Sequence, residues 1–190
     1  MTIWNRPTNF IGQYDNTVSP KDCDRIIDWF NKNPSRWENE KDNITIKHSI
    51  DLNLEFHKRE FVSIIIGQAL EECLEKYKKR YTFLNERLAF WKCDDHYNIQ
   101  KYEEGGGYFS KHCEVGGPGE VTSRILVWML YLNNAKSGTR FYYPDLIQNK
   151  VVNAKRGRMV LWPAYWTHPH SGVTPNKGDK YIATGWYIFQ

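Results

Sequence analysis

The segment Arg124–Leu132, RILVWMLYL, limits the fold more than any other. After the leading arginine every residue is apolar or aromatic, without the alternation of a strand that has one wet face. It falls far short of the roughly 20 apolar residues a bilayer-spanning helix needs. A strand of this kind is buried on both faces, so other elements must cover it from two sides.

The first half of the chain supplies helices. Ser19-Pro20 is a helix start, with a hydroxyl to cap the free N–H groups and a proline at the first helical position. Cys23, Ile26, Ile27 and Phe30 follow at helical spacing, and Asn33-Pro34 ends the segment. Residues Glu60 to Lys79 form the longest helical pattern, with Phe61, Ile65, Leu70, Cys73, Leu74 and Tyr77 as its apolar face. Lys76, Lys78, Lys79 and Arg80 load its last turn, as the helix dipole favours.

The second half supplies strands. Thr45 to Leu54 is an early strand with partial alternation, and Tyr97 to Tyr102 is another, stopped by Gly105-Gly106-Gly107. Gly138 to Tyr143, Lys150 to Asn153, Arg158 to Trp162 and Lys180 to Phe189 follow, separated by Gly, Pro and Asn turns. Helices first and short strands after predict an α+β domain, mainly β at its core. In it, helices buttress a β-sandwich or jelly roll. With 190 residues and no linker, low-complexity tract or repeat, the expectation is one domain over 1–190. Its helical part covers about 1–95 and its β part about 96–190.

Composition narrows the classes of function. Lys+Arg exceed Asp+Glu by 26 to 22, an excess too mild and scattered to argue for nucleic acid. The one basic run, KYKKR at 76–80, reads as a solvated helix end. Aromatics reach 15%, which suits a β-rich core. The start of the chain shows no charged region followed by an apolar one, so no secretory signal is visible. Cys23, Cys73, Cys93 and Cys113 form no CxxC pair, and reduced thiols in a cytoplasm are expected. P-loop, GxGxxG and GxSxG signatures are missing from the sequence.

Histidine spacing carries the chemistry. His112-Cys113-Glu114 sets an imidazole and a carboxylate at i and i+2, which share one face of a strand. His168 and His170 form a second i, i+2 pair downstream. Two imidazoles and one carboxylate on one side of an octahedral ion make a facial triad, which leaves three positions open. From these residues alone, either His168 or His170 is the second imidazole.

The succession YEEGGGYFSKHCE, RILVWMLYLN, SGTRFYYP, KRGRMVLWP and HSGVTPNKGDKYIATGW resembles the prolyl 4-hydroxylase-like branch of the Fe(II)/2-oxoglutarate-dependent oxygenases, over about residues 97 to 189. The stretch YDNTVSPKDCDRIIDWF is similar to the start of such domains, less specifically. The resemblance implies a double-stranded β-helix (jelly roll) with N-terminal buttressing helices. It implies Fe(II), 2-oxoglutarate as cosubstrate and O2, with ascorbate as a further reductant.

Residue by residue, the resemblance makes His112 the first ligand and puts Glu114 where the family usually has Asp. A basic residue ten positions after the distal histidine binds the far carboxylate of 2-oxoglutarate in the family. Lys180 is ten after His170 and twelve after His168, so the expected ligands are His112, Glu114 and His170. His168 is expected on the rim or in the preceding loop. Tyr102 and Trp186 match family positions near the cosubstrate, Tyr102 lying one residue further from His112 than usual. Gly116-Gly117-Pro118-Gly119 cannot continue a regular strand and is expected as either a mobile loop over the metal or a plain surface loop.

The expected activity is hydroxylation of a peptidyl proline, with release of succinate and CO2, by a small cytoplasmic enzyme of bacterial or viral type. Two rivals stay open. One is the same chemistry on a free amino acid, another side chain or a small metabolite. The other is a metal-free jelly-roll binding module, an idea that rests on Glu114.

Overall fold

The computed structural model describes residues 9–39, 45–86, 90–116, 122–142 and 149–190. In chain order its elements are β1 (Gly12–Tyr14), α1 (Pro20–Asn31), β2 (Glu38–Asn39), β3 (Lys47–His48), β4 (Ile50–Glu55), α2 (Phe61–Arg80), α3 (Phe83–Glu86), β5 (Trp91–Tyr102), β6 (Gly107–Tyr108), β7 (Arg124–Tyr131), β8 (Gly138–Phe141), β9 (Lys150–Asn153), β10 (Arg158–Pro163), β11 (His170–Val173) and β12 (Lys180–Phe189).

Helix α1 starts as its sequence requires. The Ser19 hydroxyl accepts from the Asp22 N–H at 3.1 Å, and Pro20 takes the first helical position. It buries Cys23, Ile26 and Phe30. In α2 the buried stripe is Val62, Ile66, Ala69, Leu70, Cys73 and Tyr77. Phe61 and Ile65, expected on that face, are only half-buried. Among the described residues no helix is long and apolar enough to cross a membrane.

The strands form a seven-stranded sheet in the order β1-β10-β7-β12-β5-β4-β2, a three-stranded sheet β11-β8-β9, and the pair β3-β6. Every pairing is antiparallel. Facing sheets buttressed by helices make the expected double-stranded β-helix. Two expectations about strands need correction. Thr45 to Leu54 is two strands, because the Ser49 hydroxyl and the Lys47 ammonium both turn onto Asp51, at 2.7 and 2.6 Å. The chain changes partner there: β3 joins β6 and β4 joins β5. Strand β5 also begins at Trp91 rather than Tyr97, because the end of β12 pairs with it as far as Phe189. Tyr143 and Gly117–Gly119 lie outside the described residues.

Burial on both faces of β7 follows from two cores. Leu126, Trp128 and Leu130 belong to the apolar layer shared with α1 and α2. Val127 and Tyr131 point the other way, into the space between the sheets, with Phe141, Val152 and Trp162. Strand β12 alternates likewise: Tyr181, Ala183 and Tyr187 face the helices, while Ile182 joins the inner core. Gly185 is required where Trp128 crosses β12, since a Cβ there would lie 2.7 Å from the indole. Fully burying a side chain of leucine size stabilises a fold by about 1.5–3 kcal/mol.

Candidate metal centre

His170 opens β11, and the residue opposite it is His112, in an isolated antiparallel bridge. The two exchange backbone hydrogen bonds, His112 N–H to His170 O at 3.0 Å and His170 N–H to His112 O at 2.8 Å. Directly opposed residues put their side chains on one face, and the ring centroids are 4.4 Å apart. Each ring is oriented by a backbone carbonyl at Nδ1: Ser110 O for His112 at 2.9 Å, and His168 O for His170 at 3.0 Å. A carbonyl can only accept, so each Nδ1 carries a proton and Nε2 is the nitrogen left to face Glu114 or an ion. The Tyr108 ring stacks on His112 at 3.8 Å, and the Trp162 ring meets His170 edge-on at 5.2 Å.

Glu114 is fixed by its own N–H, which donates to Ala164 O at 2.9 Å. Its Oε1 lies 3.5 Å from His112 Nε2 and 3.2 Å from His170 Nε2. Its Oε2 accepts from Trp186 Nε1 at 2.9 Å and from Arg124 Nη1 at 3.3 Å. Burial alone would push the Glu114 carboxyl up. Hydrogen bonds and charge from the two histidines, when Nε2 is protonated, outweigh it and hold the group well below the usual carboxylate range. The donor atoms of His112, Glu114 and His170 lie within 4.8 Å of one another, the one such group among the described residues. Two imidazole lone pairs and one anionic oxygen suit a first-row divalent ion such as Fe(II). His168 is not part of the group. It sits in the loop before β11, with Nε2 on Asn9 O at 2.8 Å and Nδ1 on the Thr167 hydroxyl at 2.9 Å.

The three donors line one cavity of about 390 Å³ with Lys180, Tyr102 and Trp186. Val127, Trp162 and Ile182 give it apolar walls. Lys180 is 3% exposed, and its ammonium lies 4.4 Å above the Tyr102 ring and 3.4 Å from Val173 O. Burial lowers its pKa from 10.5 to about 8. A second buried lysine, Lys47, lines the same cavity but is neutralised by Asp51 at 2.6 Å. No carboxylate among the described residues makes an ion pair with Lys180, so an incoming anion meets its uncompensated charge there. The Tyr102 hydroxyl donates to Gln100 Oε1 at 2.8 Å, and Gln100 Nε2 donates to Asp51 at 2.7 Å.

All six expected site residues thus line one cavity. Sequence reasoning missed Arg124, Lys47, Gln100 and Tyr108, which line it too. Arg124 had a signal: it is the lone charge opening an otherwise apolar strand. Gln100 had another, since Asn98, Gln100 and Tyr102 alternate along β5 toward the cavity.

A double-stranded β-helix holding two histidines and one carboxylate together has the donor set of the non-haem Fe(II) oxygenases. Residues 97–188, the β part of the chain, match the family model described as the 2OG-Fe(II) oxygenase superfamily, whose cofactors are Fe(II), 2-oxoglutarate and O2. The fold is similar to a prolyl-4-hydroxylase from Pseudomonas putida, with a TM-score of 0.72 and 15% identity over 96% of this chain and 94% of that one. A prolyl hydroxylase from Trichoplax adhaerens, solved with a peptide fragment of the hypoxia inducible factor oxygen degradation domain, gives 0.71 and 18% over 95% and 84%. The viral collagen prolyl hydroxylase of Paramecium Bursaria Chlorella virus-1 gives 0.63 and 18% over 94% and 95%. Comparison with curated protein sequences gave no match.

Proposed function

We propose that this 2-oxoglutarate-dependent dioxygenase hydroxylates a proline in a peptide or protein, with residues 1–190 as one catalytic domain. His112, Glu114 and His170 hold the iron, and Lys180 takes the far carboxylate of 2-oxoglutarate. The observation that carries the reading is the cavity itself, which has a three-donor cluster and, elsewhere in its lining, a buried cation without a carboxylate partner.

With the cofactors bound, one substrate C–H, 2-oxoglutarate and O2 become C–OH, succinate and CO2. The protein's own groups orient and exclude. The two Nδ1 hydrogen bonds keep both Nε2 atoms turned toward Glu114 Oε1, where an ion would be held. Lys180 attracts a dicarboxylate by charge, at low effective dielectric where attraction is strong. Its flat neighbour Tyr102 stabilises the ammonium through the ring face. Val127, Trp162 and Ile182 keep the interior dry, which suits radical chemistry that water would divert.

A peptide substrate is supported by the peptide-bound relative, and prolyl specificity by the activity that names all three relatives. The four cysteines are free, which supports a reducing, cytoplasmic setting. The test is anaerobic addition of Fe(II) and 2-oxoglutarate, read by the visible charge-transfer band. Turnover of a proline-rich peptide with O2 follows, read by succinate release and the gain of one oxygen atom on the peptide. Succinate without peptide oxidation would move the substrate to a free amino acid or small metabolite. No band and no succinate would leave a metal-free binding module.

A further inference from the structure

The outer oxygen of Glu114 faces away from the histidines and is held by two donors from different strands. Trp186 Nε1 lies 2.9 Å from Oε2, and Arg124 Nη1 lies 3.3 Å from it. The donors also support each other, since the Arg124 guanidinium sits 3.6 Å over the Trp186 ring. Local backbone geometry singles out this spot. Opposite Trp186, β5 inserts Asp94, Asp95 and His96 between the residues paired with Gly185 and Tyr187. On the other side β7 slips at Ile125, between Leu126 and Arg124. Bulges re-aim side chains near active sites; here β5 bulges directly opposite Trp186, while β7 keeps Val127 in register with it and shifts beside Arg124.

A glutamate differs from an aspartate in its extra methylene and added rotatable bond. Left loose, it could swing, or turn both oxygens toward one ion. With Oε2 committed to an indole N–H and a guanidinium, only Oε1 faces the two Nε2 atoms. We propose that Trp186 and Arg124 are positioning residues that clamp Glu114 by its outer oxygen. They hold the longer acid to a single ligating atom and keep the remaining coordination positions open. The inference rests on the metal-site reading above but not on the identity of the substrate.

The test is a set of double-mutant cycles read by Ni(II) binding in calorimetry, without cosubstrate or turnover. Ni(II) lies high in the divalent affinity order, so a site reduced to two histidines stays measurable. Trp186→Phe and Arg124→Met should each weaken Ni(II) binding about 10- to 100-fold, the range for lost partners of a metal ligand. Arg124→Lys should recover part of the loss. In a Glu114→Ala background, with no acid to clamp, the same substitutions should change affinity less than about twofold, as uncoupled sites do. Equal losses in both backgrounds would assign Trp186 and Arg124 a general structural role and overturn the clamp, as would no loss in either. Absence of Ni(II) binding by the unaltered protein would instead overturn the metal site itself. Failure to hydroxylate a proline peptide, with the coupling intact, would overturn only the substrate assignment.

Discussion

On one face of the large sheet, Leu126, Trp128 and Leu130 of β7 join Phe30, Ile66 and Tyr77 of the helices in a single apolar layer. On the other face of the same strands, Arg124, Lys180 and Trp186 reach a cavity where contacts are few, polar and directional. The helix side spreads its stabilisation over many interchangeable atoms, each contributing about 0.1–0.2 kcal/mol. The cavity side concentrates it in a few polar groups, such as Glu114 and Asp51, each held by several directed contacts. Substitutions on the first face should therefore lower stability and spare chemistry, and those on the second should do the reverse.

The sharpest break is Glu114→Ala. It should abolish iron retention through anaerobic purification while leaving a folded protein, as read by metal analysis beside circular dichroism. Equal iron in variant and parent would sink the ligand role. Next, Trp128→Ala should cost about 3–5 kcal/mol in urea unfolding, as large-to-small changes in a packed core do. The fraction still folded should take up metal in the parental ratio, and a lost ratio would mean the two faces are not separable.

Lys180→Ala should raise the 2-oxoglutarate requirement by about 3 kcal/mol, the lower end for breaking a buried charge pair, with metal binding retained. Affinity should also depend on pH. In the ligand-free protein Lys180 titrates at about 8, below its unfolded value of 10.5. Below pH 8 the ammonium is present and affinity for the dianion should be flat. Above pH 8 a proton must be taken up on binding, so affinity should fall by up to about tenfold per unit. The Lys180 contribution to stability of the ligand-free protein should run the opposite way, rising between about 8 and 10.5, because only the unfolded chain still binds that proton, and it is read as the difference between parent and Lys180→Ala. Lys180→Ala should flatten the affinity curve and leave in the stability curve the fall set by the buried thiols of Cys23, Cys73 and Cys93, which burial pushes up. The smallest effect belongs to the helix layer: Ser19→Ala should lose about 1 kcal/mol of stability and leave cosubstrate affinity unchanged.

The same contrast explains what could be read from the sequence. Strand β7 was legible because an all-apolar run has few homes, and α1 because Ser19-Pro20 is a local signal. The candidate site was legible in two ways: His112 and Glu114 by their spacing, and His170 with Lys180 only through the resemblance to the oxygenase family. In α2 the inward residues Leu70, Cys73 and Tyr77 were legible, but the first turns were not, because Phe61, Val62, Ile64, Ile65 and Ile66 are all apolar. There the sheet, not the periodicity, selects Val62 and Ile66. Nor was the break at Ser49, set by hydrogen bonds that converge on Asp51. Trp186 was legible as a cavity residue, but its hold on Glu114 was not, since it joins β12 to a segment 72 residues away, beside a bulge in β5.

The bridge between His112 and His170 has a further consequence. These residues are 58 positions apart, and two backbone hydrogen bonds already close that loop. Most of the entropy of closing it is therefore lost on folding, before any ion arrives. An ion held by both imidazoles would add a removable crosslink to a loop that is already shut. A chelator should then leave the fold standing, unlike that of a zinc finger, and act locally. The His112 and His170 amides should exchange with deuterium faster once the ion is stripped, while those of β7 keep their protection. Those two amide protons thus provide a local gauge of metal occupancy that needs neither substrate nor oxygen.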